Sequence, residues 1–350
     1  MYTDHYGFTD QPFQLTPDAR FYFDSRTHKK AMAYLGYGLA QGEGFIVITG
    51  DVGAGKSTLV AHLQATIDRA RLNALSIVST QVEGDDMLRL AAQKLGIATD
   101  GVPKARLLDL VEERLAEEAR CGKRTLLIVD EAQNLPHSAL EELRMLSNYQ
   151  AGGRALLQIF LLGQPEFRDE LAHSERLEQL RQRVIATHHL DPMEAGEIEA
   201  YILHRLRIVG WQGRPRFDVS AFDALYRHTG GIPRRVNQLA SRLLLFAAME
   251  QLETIGAEAV ETVVADMASD SPRPVRREEP VLPLRASADS SPEPAPQPAQ
   301  PAHDLALERR VADLEARLEE QENAIRRVLT LLVDWVENGQ GPPDYRHRAA

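Results

Sequence analysis

Residues 45–58 read FIVITGDVGAGKST, an apolar run that ends in a glycine-rich turn and a lysine. Phe45 to Thr49 has the length and β-branched content of a buried strand, and Thr58 to Ala70 continues with helical spacing, so the turn joins a strand to a helix. Within it Gly50, Gly55, Lys56 and Ser57 satisfy G-x-x-x-x-G-K-[ST]. Glycines let the backbone curl until successive N–H groups point inward at phosphate oxygens. Gly50, Asp51, Val52, Gly53, Ala54, Gly55, Lys56, Ser57 and Thr58 are thus expected to cradle the phosphates of a nucleotide. Lys56 would bridge the β- and γ-phosphates, and the Ser57 hydroxyl would ligate Mg²⁺.

A metal held at such a loop needs a second anchor, usually an acid at the end of a neighbouring apolar strand. LLIVDE supplies Asp130 for Mg²⁺ and Glu131 beside it to orient or deprotonate an attacking water. That second carboxylate favours hydrolysis over transfer to a substrate hydroxyl. Farther on, LLGQPEF offers Gln164, readable either as a γ-phosphate or water contact or as a plain turn residue. Positive charge for the transferred phosphoryl is available from Arg181 and Arg183 in LEQLRQRV and from Arg234 and Arg235 in GGIPRRVN. The same arginines are equally readable as surface partners of Glu175, Glu178 or Glu194.

Moving outward, apolar runs at 74–78, 125–129 and 156–162, and a weaker one at 184–190, join 45–49 as candidate strands, separated by segments with helical spacing. The expectation for residues 41–191 is an α/β fold of three αβα layers with a parallel five-stranded sheet. After Pro192 the pattern turns helical, over Glu194 to Val209, Val219 to His228, Pro233 to Glu250 and Ala257 to Met267, which predicts a small all-helical lid over 192–268. TGGIP sets Pro233 in a first helical turn, where its missing N–H costs nothing. Nine of the 19 prolines fall within 269–302, so 269–303 is expected to be a disordered linker. Over 304–338 an apolar seam repeats in heptads (Val311, Leu318, Ile325 and Leu332; Leu307, Leu314, Val328 and Trp335), expected as a coiled coil or partner-docking helix, or else a helix folded back on the core. Residues 339–350 read as a disordered tail.

With 43% apolar and 26% charged residues the chain has ordinary globular composition. A formal net charge of −11 argues against holding nucleic acid or acidic lipid by bulk electrostatics. One cysteine, Cys121, excludes an internal disulfide and suits a reducing compartment. The start of the chain lacks a basic segment followed by an apolar core, and no run approaches 18 apolar residues. A cytoplasmic protein with no membrane span is expected, at most peripheral at the inner membrane.

YGF, QPF, TPD and FYF before the first strand, then GDVGAGKST, LLIVDEAQNL, LLGQPEF, LRQRV and GGIPRRVN, occur in an order that resembles the ExeA-type (general secretion pathway protein A) branch of AAA+ ATPases. The stretch MAYLGYGLAQGEGFIVITG and the whole arrangement resemble most the ATPases associated with exosortase and PEP-CTERM systems. The resemblance spans residues 1–267. It implies ATP with Mg²⁺, Gln164 as sensor 1, Arg181 and Arg183 as the arginine-finger region, Arg234 as sensor 2, and residues 1–40 flanking the adenine pocket. It also implies a homo-oligomer, a ring or other assembly, nucleotide-dependent or not, that serves an envelope process such as protein sorting, secretion or exopolysaccharide export. ExeA-like proteins commonly continue into a transmembrane helix and a peptidoglycan-binding domain; here a Pro-rich linker and heptads follow, which puts direct cell-wall remodelling in doubt, and 304–338 would instead recruit an envelope or inner-membrane partner or assemble the ATPase with itself. The alternatives are a DNA-associated helper ATPase, as in transposition or replication initiation, and a nucleotide-gated coiled-coil scaffold.

Overall fold

The computed structural model describes residues 2–78 and 83–270; the expected heptad helix, the tail and the linker beyond residue 270 lie outside the described residues. Five apolar runs form strands β1 (Phe45–Gly50), β2 (Leu72–Val78), β3 (Arg124–Asp130), β4 (Leu157–Gly163) and β5 (Val184–Leu190). They pair in parallel in the order β2-β3-β4-β1-β5. Consequently β4 lies between the strand that leads into the glycine loop and the strand that ends at Asp130.

Strand period divides each apolar run between two cores. Phe45, Val47, Leu127, Val129, Ile159 and Leu161 face one side, where they meet α3 (Gly84–Lys94), α4 (Lys104–Arg120) and α5 (His137–Leu146). Ile46, Ile48, Leu126, Ile128, Phe160 and Leu162 face the other and meet α1 (Arg26–Gln41) and α2 (Lys56–Thr66). Gly38 lets α1 approach the sheet, since a Cβ there would lie 2.6 Å from the Ile46 side chain. Gln158, buried on β4, satisfies both its amide hydrogens on the carbonyls of Gly38 and Glu43, at 2.7 and 2.9 Å. Helix α6 (Pro165–His173) starts where β4 ends, with Gln164 at its N-cap.

The second core is helical: α7 (Ile198–Ile208), α8 (Val219–Thr229), α9 (Pro233–Met249) and α10 (Ala257–Asp270). Its first turn is tighter than periodicity predicts. Residues Ala195–Glu197 form a 3-10 turn because Glu194 and Glu197 cap each other's backbone reciprocally. Two short segments, Arg216–Phe217 and Thr254–Ile255, add a parallel bridge to the predicted helices.

Phe8, Phe13 and Phe21, from before α1, are buried in this helical core. Arg205 fastens them: buried itself, it donates to the carbonyls of Pro12 (2.6 Å) and Gln14 (3.3 Å) and lies 4.7 Å over the Phe21 ring. The chain leaves the sheet through Met193, whose N–H donates to Gly231 O at 3.0 Å. Only glycine fits at 231, with φ +73° and a would-be Cβ 2.1 Å from Met193 O.

Among the described residues no helix is long and apolar enough to cross a membrane. Phe160 is fully buried at the centre of the sheet. Phe160→Ala is expected to cost about 3–5 kcal/mol, read as a lower denaturant midpoint at unchanged slope.

Candidate nucleotide site

The loop between β1 and α2 folds back on itself because Gly53 and Gly55 take φ values of +88° and +101°. Gly55 caps α2, so the unpaired N–H groups of the first helical turn open into the loop. Lys56 is 6% exposed and donates from Nζ to Gly50 O at 2.7 Å and Asp51 O at 3.1 Å. Burial lowers its pKa, and the carboxylates of Glu131, Asp130, Asp51 and Glu166 oppose that shift.

Strand order brings the acids to this loop. Ser57 Oγ donates to Asp130 Oδ2 at 3.1 Å, so the hydroxyl and carboxylate expected to share a metal are already in contact. Both are hard oxygen ligands of the kind Mg²⁺ takes, usually with water and phosphate oxygens completing the set. Gln164, at the end of β4, donates from Nε2 to Glu131 Oε2 at 3.2 Å. Glu131, Lys56, Ser57 and Thr58 all line one cleft of about 260 Å³.

The helical lid supplies the other wall. Arg234, in the first turn of α9, donates its backbone N–H to Gly53 O at 3.1 Å. The start of α9 thereby faces the same space as the start of α2, and two helix N-termini favour an anion there. Arg181 and Arg183 do not line this cleft. Arg181 donates to the carbonyls of Leu171 and Ala172 at the end of α6, and Arg183 to Ser147 Oγ at 3.2 Å.

Several lining residues have no individual role assigned by the sequence, although Tyr22 and Asn237 fall within FYF and GGIPRRVN. His28 of α1 packs under the loop, where a Cβ on Gly55 would lie 2.8 Å from its Nε2. Its Nδ1 is 2.8 Å from Ser25 Oγ, and burial lowers its pKa to about 4. Tyr22 stacks on His62 of α2 at 3.8 Å between ring centroids. On the lid side Arg205 donates to Tyr201 OH at 3.0 Å, which donates to Asn237 Oδ1 at 2.7 Å. Gln133, within LLIVDEAQNL, likewise has no role assigned by the sequence; its side chain touches both Glu131 and Gln164. The tripeptide AQN after the acids gives no periodic signal, and only the turn it forms puts the amide there.

Glycines that a Cβ would fill, a buried lysine, converging helix ends and an aromatic-lined lid wall fit a nucleoside triphosphate. Residues 39–171 match the AAA domain family. Within those residues the chain carries an AAA domain. In sequence it is 35% identical over 248 residues to general secretion pathway protein A of Aeromonas hydrophila, covering 71% of this chain and 45% of that one. It therefore spans less than half the length of this relative. In fold it is similar to the Cdc6p structure from Pyrobaculum aerophilum (TM-score 0.59, 16% identity, 74% of this chain and 71% of that one). The ORC2 protein of Aeropyrum pernix in its ADPNP and ADP complexes aligns with TM-score 0.56 and 16% identity over 74% of this chain and 72% of that one. At such identity these likenesses establish the fold alone.

Two outcomes are expected from this geometry. In Gly53→Ala the new Cβ would sit 2.4 Å from Arg234 Cβ at a φ that L-residues avoid; calorimetric titration with ADP should show affinity about tenfold weaker. Because His28 titrates near 4 when folded and near 6.5 when free, the unfolded chain binds the proton more tightly. Its contribution is complete above pH 6.5 and is lost as pH falls, about 2 kcal/mol between pH 7 and pH 5. Denaturant melts of wild type and His28→Gln should differ in slope against pH by that amount.

Proposed function

We propose that the chain hydrolyses Mg-ATP in this cleft and that turnover drives or regulates a bacterial envelope process, secretion being the first candidate. The observation that carries the hydrolytic reading is the meeting of Asp130, Glu131 and Gln164, from the ends of two adjacent strands, with Ser57 in the first turn of α2 beside buried Lys56. The secretion reading rests on likeness to a general secretion pathway protein. Sorting of PEP-CTERM proteins by an exosortase system, or exopolysaccharide export, is the finer destination, supported by the sequence resemblance of residues 1–267.

In this reading loop N–H groups, Lys56 and the start of α9 hold the phosphates, while Ser57 and Asp130 hold Mg²⁺. Bound by these two residues, Mg²⁺ would supply positive charge to offset that of the phosphates. Glu131 takes the proton of the attacking water and Gln164 orients that water. Arg234 contacts the γ-phosphate from the lid as sensor 2. The N-terminal segment, with Tyr22 and the lid residues Tyr201 and Asn237, encloses the base.

Arg181 and Arg183, turned away from their own cleft, serve the nucleotide of a neighbouring copy in a nucleotide-dependent homo-oligomer, a ring in the simplest case. The protein works in the cytoplasm, peripherally at the inner membrane, with residues 304–338 docking an envelope partner.

Lys56→Ala should lose ATP binding in an equilibrium titration. Glu131→Gln should bind ATP normally while steady-state turnover falls by about 10²- to 10⁴-fold; normal turnover would remove Glu131 from the mechanism. Capture from native cells with the ATP-loaded Glu131→Gln chain should recover inner-membrane or export components, lost on deletion of residues 304–350. Recovery of DNA with replication or transposition proteins instead would overturn the envelope assignment.

A further inference from the structure

Glu131 has left-handed backbone angles (φ 57°, ψ 43°), uncommon outside glycine, and the 3-10 turn Ala132–Asn134 follows at once. Buried Ala132 and a bond from the Asn134 N–H to Glu131 O (3.0 Å) hold that turn in place. Gln133 is thereby brought back to the carboxylate that precedes it. Its Nε2 donates to Glu131 Oε2, and its Oε1 accepts the backbone N–H of Gln164 at 3.0 Å. Chemistry fixes the amide's orientation: a carboxylate only accepts and a backbone N–H only donates, so the flipped amide would set like against like at both ends.

Gln164 adds its own Nε2 to the same Oε2 at 3.2 Å. One carboxylate oxygen therefore carries two amide donors. The other, Oε1, accepts none of the hydrogen bonds made by the described residues, and Glu131 lines the cleft. A carboxylate's terminal torsion is soft, so without such pins the group samples a broad range of orientations.

We propose that Gln133 is a positioning residue for ATP hydrolysis: its amide pins Oε2 of Glu131 and leaves Oε1 to receive the proton of the attacking water. The proposal rests on the reading of Glu131 as the base. In the step it serves, the water O–H bond breaks toward Oε1 as the water oxygen bonds to the γ-phosphorus. The bond from that phosphorus to the bridging oxygen breaks, its electron pair leaves on ADP, and Glu131 afterwards returns the proton to the released phosphate. Gln133 touches none of the reacting atoms. It also ties the ends of β3 and β4 together, so the base and the Gln164 turn hold a common geometry.

The test uses the full chain with Gln133→Met, which keeps length and volume and removes both polar atoms. The expected result is a kcat for ATP at least about tenfold lower, with KM and the Kd for a non-hydrolysable ATP analogue within about twofold of wild type and Tm unchanged. Gln133→Glu retains an acceptor for the Gln164 N–H but sets a second carboxylate against Glu131, and should fall further. In a Glu131→Gln background, Gln133→Met should cause no additional loss, because both changes act through one group. Unchanged kcat in Gln133→Met, or a Kd that weakens in step with kcat, overturns the proposal. Normal turnover by Glu131→Gln would instead overturn the reading of the base, and an inactive Glu131→Gln beside a fully active Gln133→Met would overturn positioning alone.

Discussion

A buried ammonium group is the constraint around which this molecule is arranged. Lys56 has left water almost completely, and an unpaired buried charge is expensive enough to neutralise itself or to forbid the fold. Two loop carbonyls take its hydrogens, and carboxylates from three different segments offset its desolvation. Those carboxylates converge only if β3 and β4 lie in their observed order beside β1. The sheet topology, the tight loop and the acids at the strand ends are therefore solutions to one electrostatic problem. The same loop turns the unpaired N–H groups at the start of α2 toward the cleft, where an anion can take them up.

What could be read from the sequence is what is local. The glycine loop, the acid pair and Gln164 each follow an apolar run, so the residue after a strand already tells which end of the sheet it occupies. Strand runs were legible because strands buried on both faces are continuously apolar. Their spatial order was not, since nothing in β4 itself distinguishes a place between β1 and β3 from a place at the edge. Gln133 and His28 were illegible for a related reason. One depends on a turn whose handedness is set at Glu131, the other on a helix that crosses beneath a loop far along the chain.

The lid is also more than its own segment of sequence. Periodicity after Pro192 identifies its helices, yet three phenylalanines from before the first strand complete its core, fixed by Arg205. These aromatics have no helical or strand period to advertise them. Since Phe21 and Tyr22 also border the cleft, its wall is built jointly by residues from opposite ends of the domain.

The contact between Met193 and Gly231 determines how motion can pass through such a lid. With no side chain to separate the two backbones, the connector leaving the sheet and the start of α9 are riveted together. A little further on, the Arg234 N–H reaches Gly53 O, so the same short stretch of chain touches both the connector and the glycine loop. At these contacts the connector, the lid and the glycine loop are thus joined through backbone alone, with no side chain whose rotamer could absorb a change of spacing.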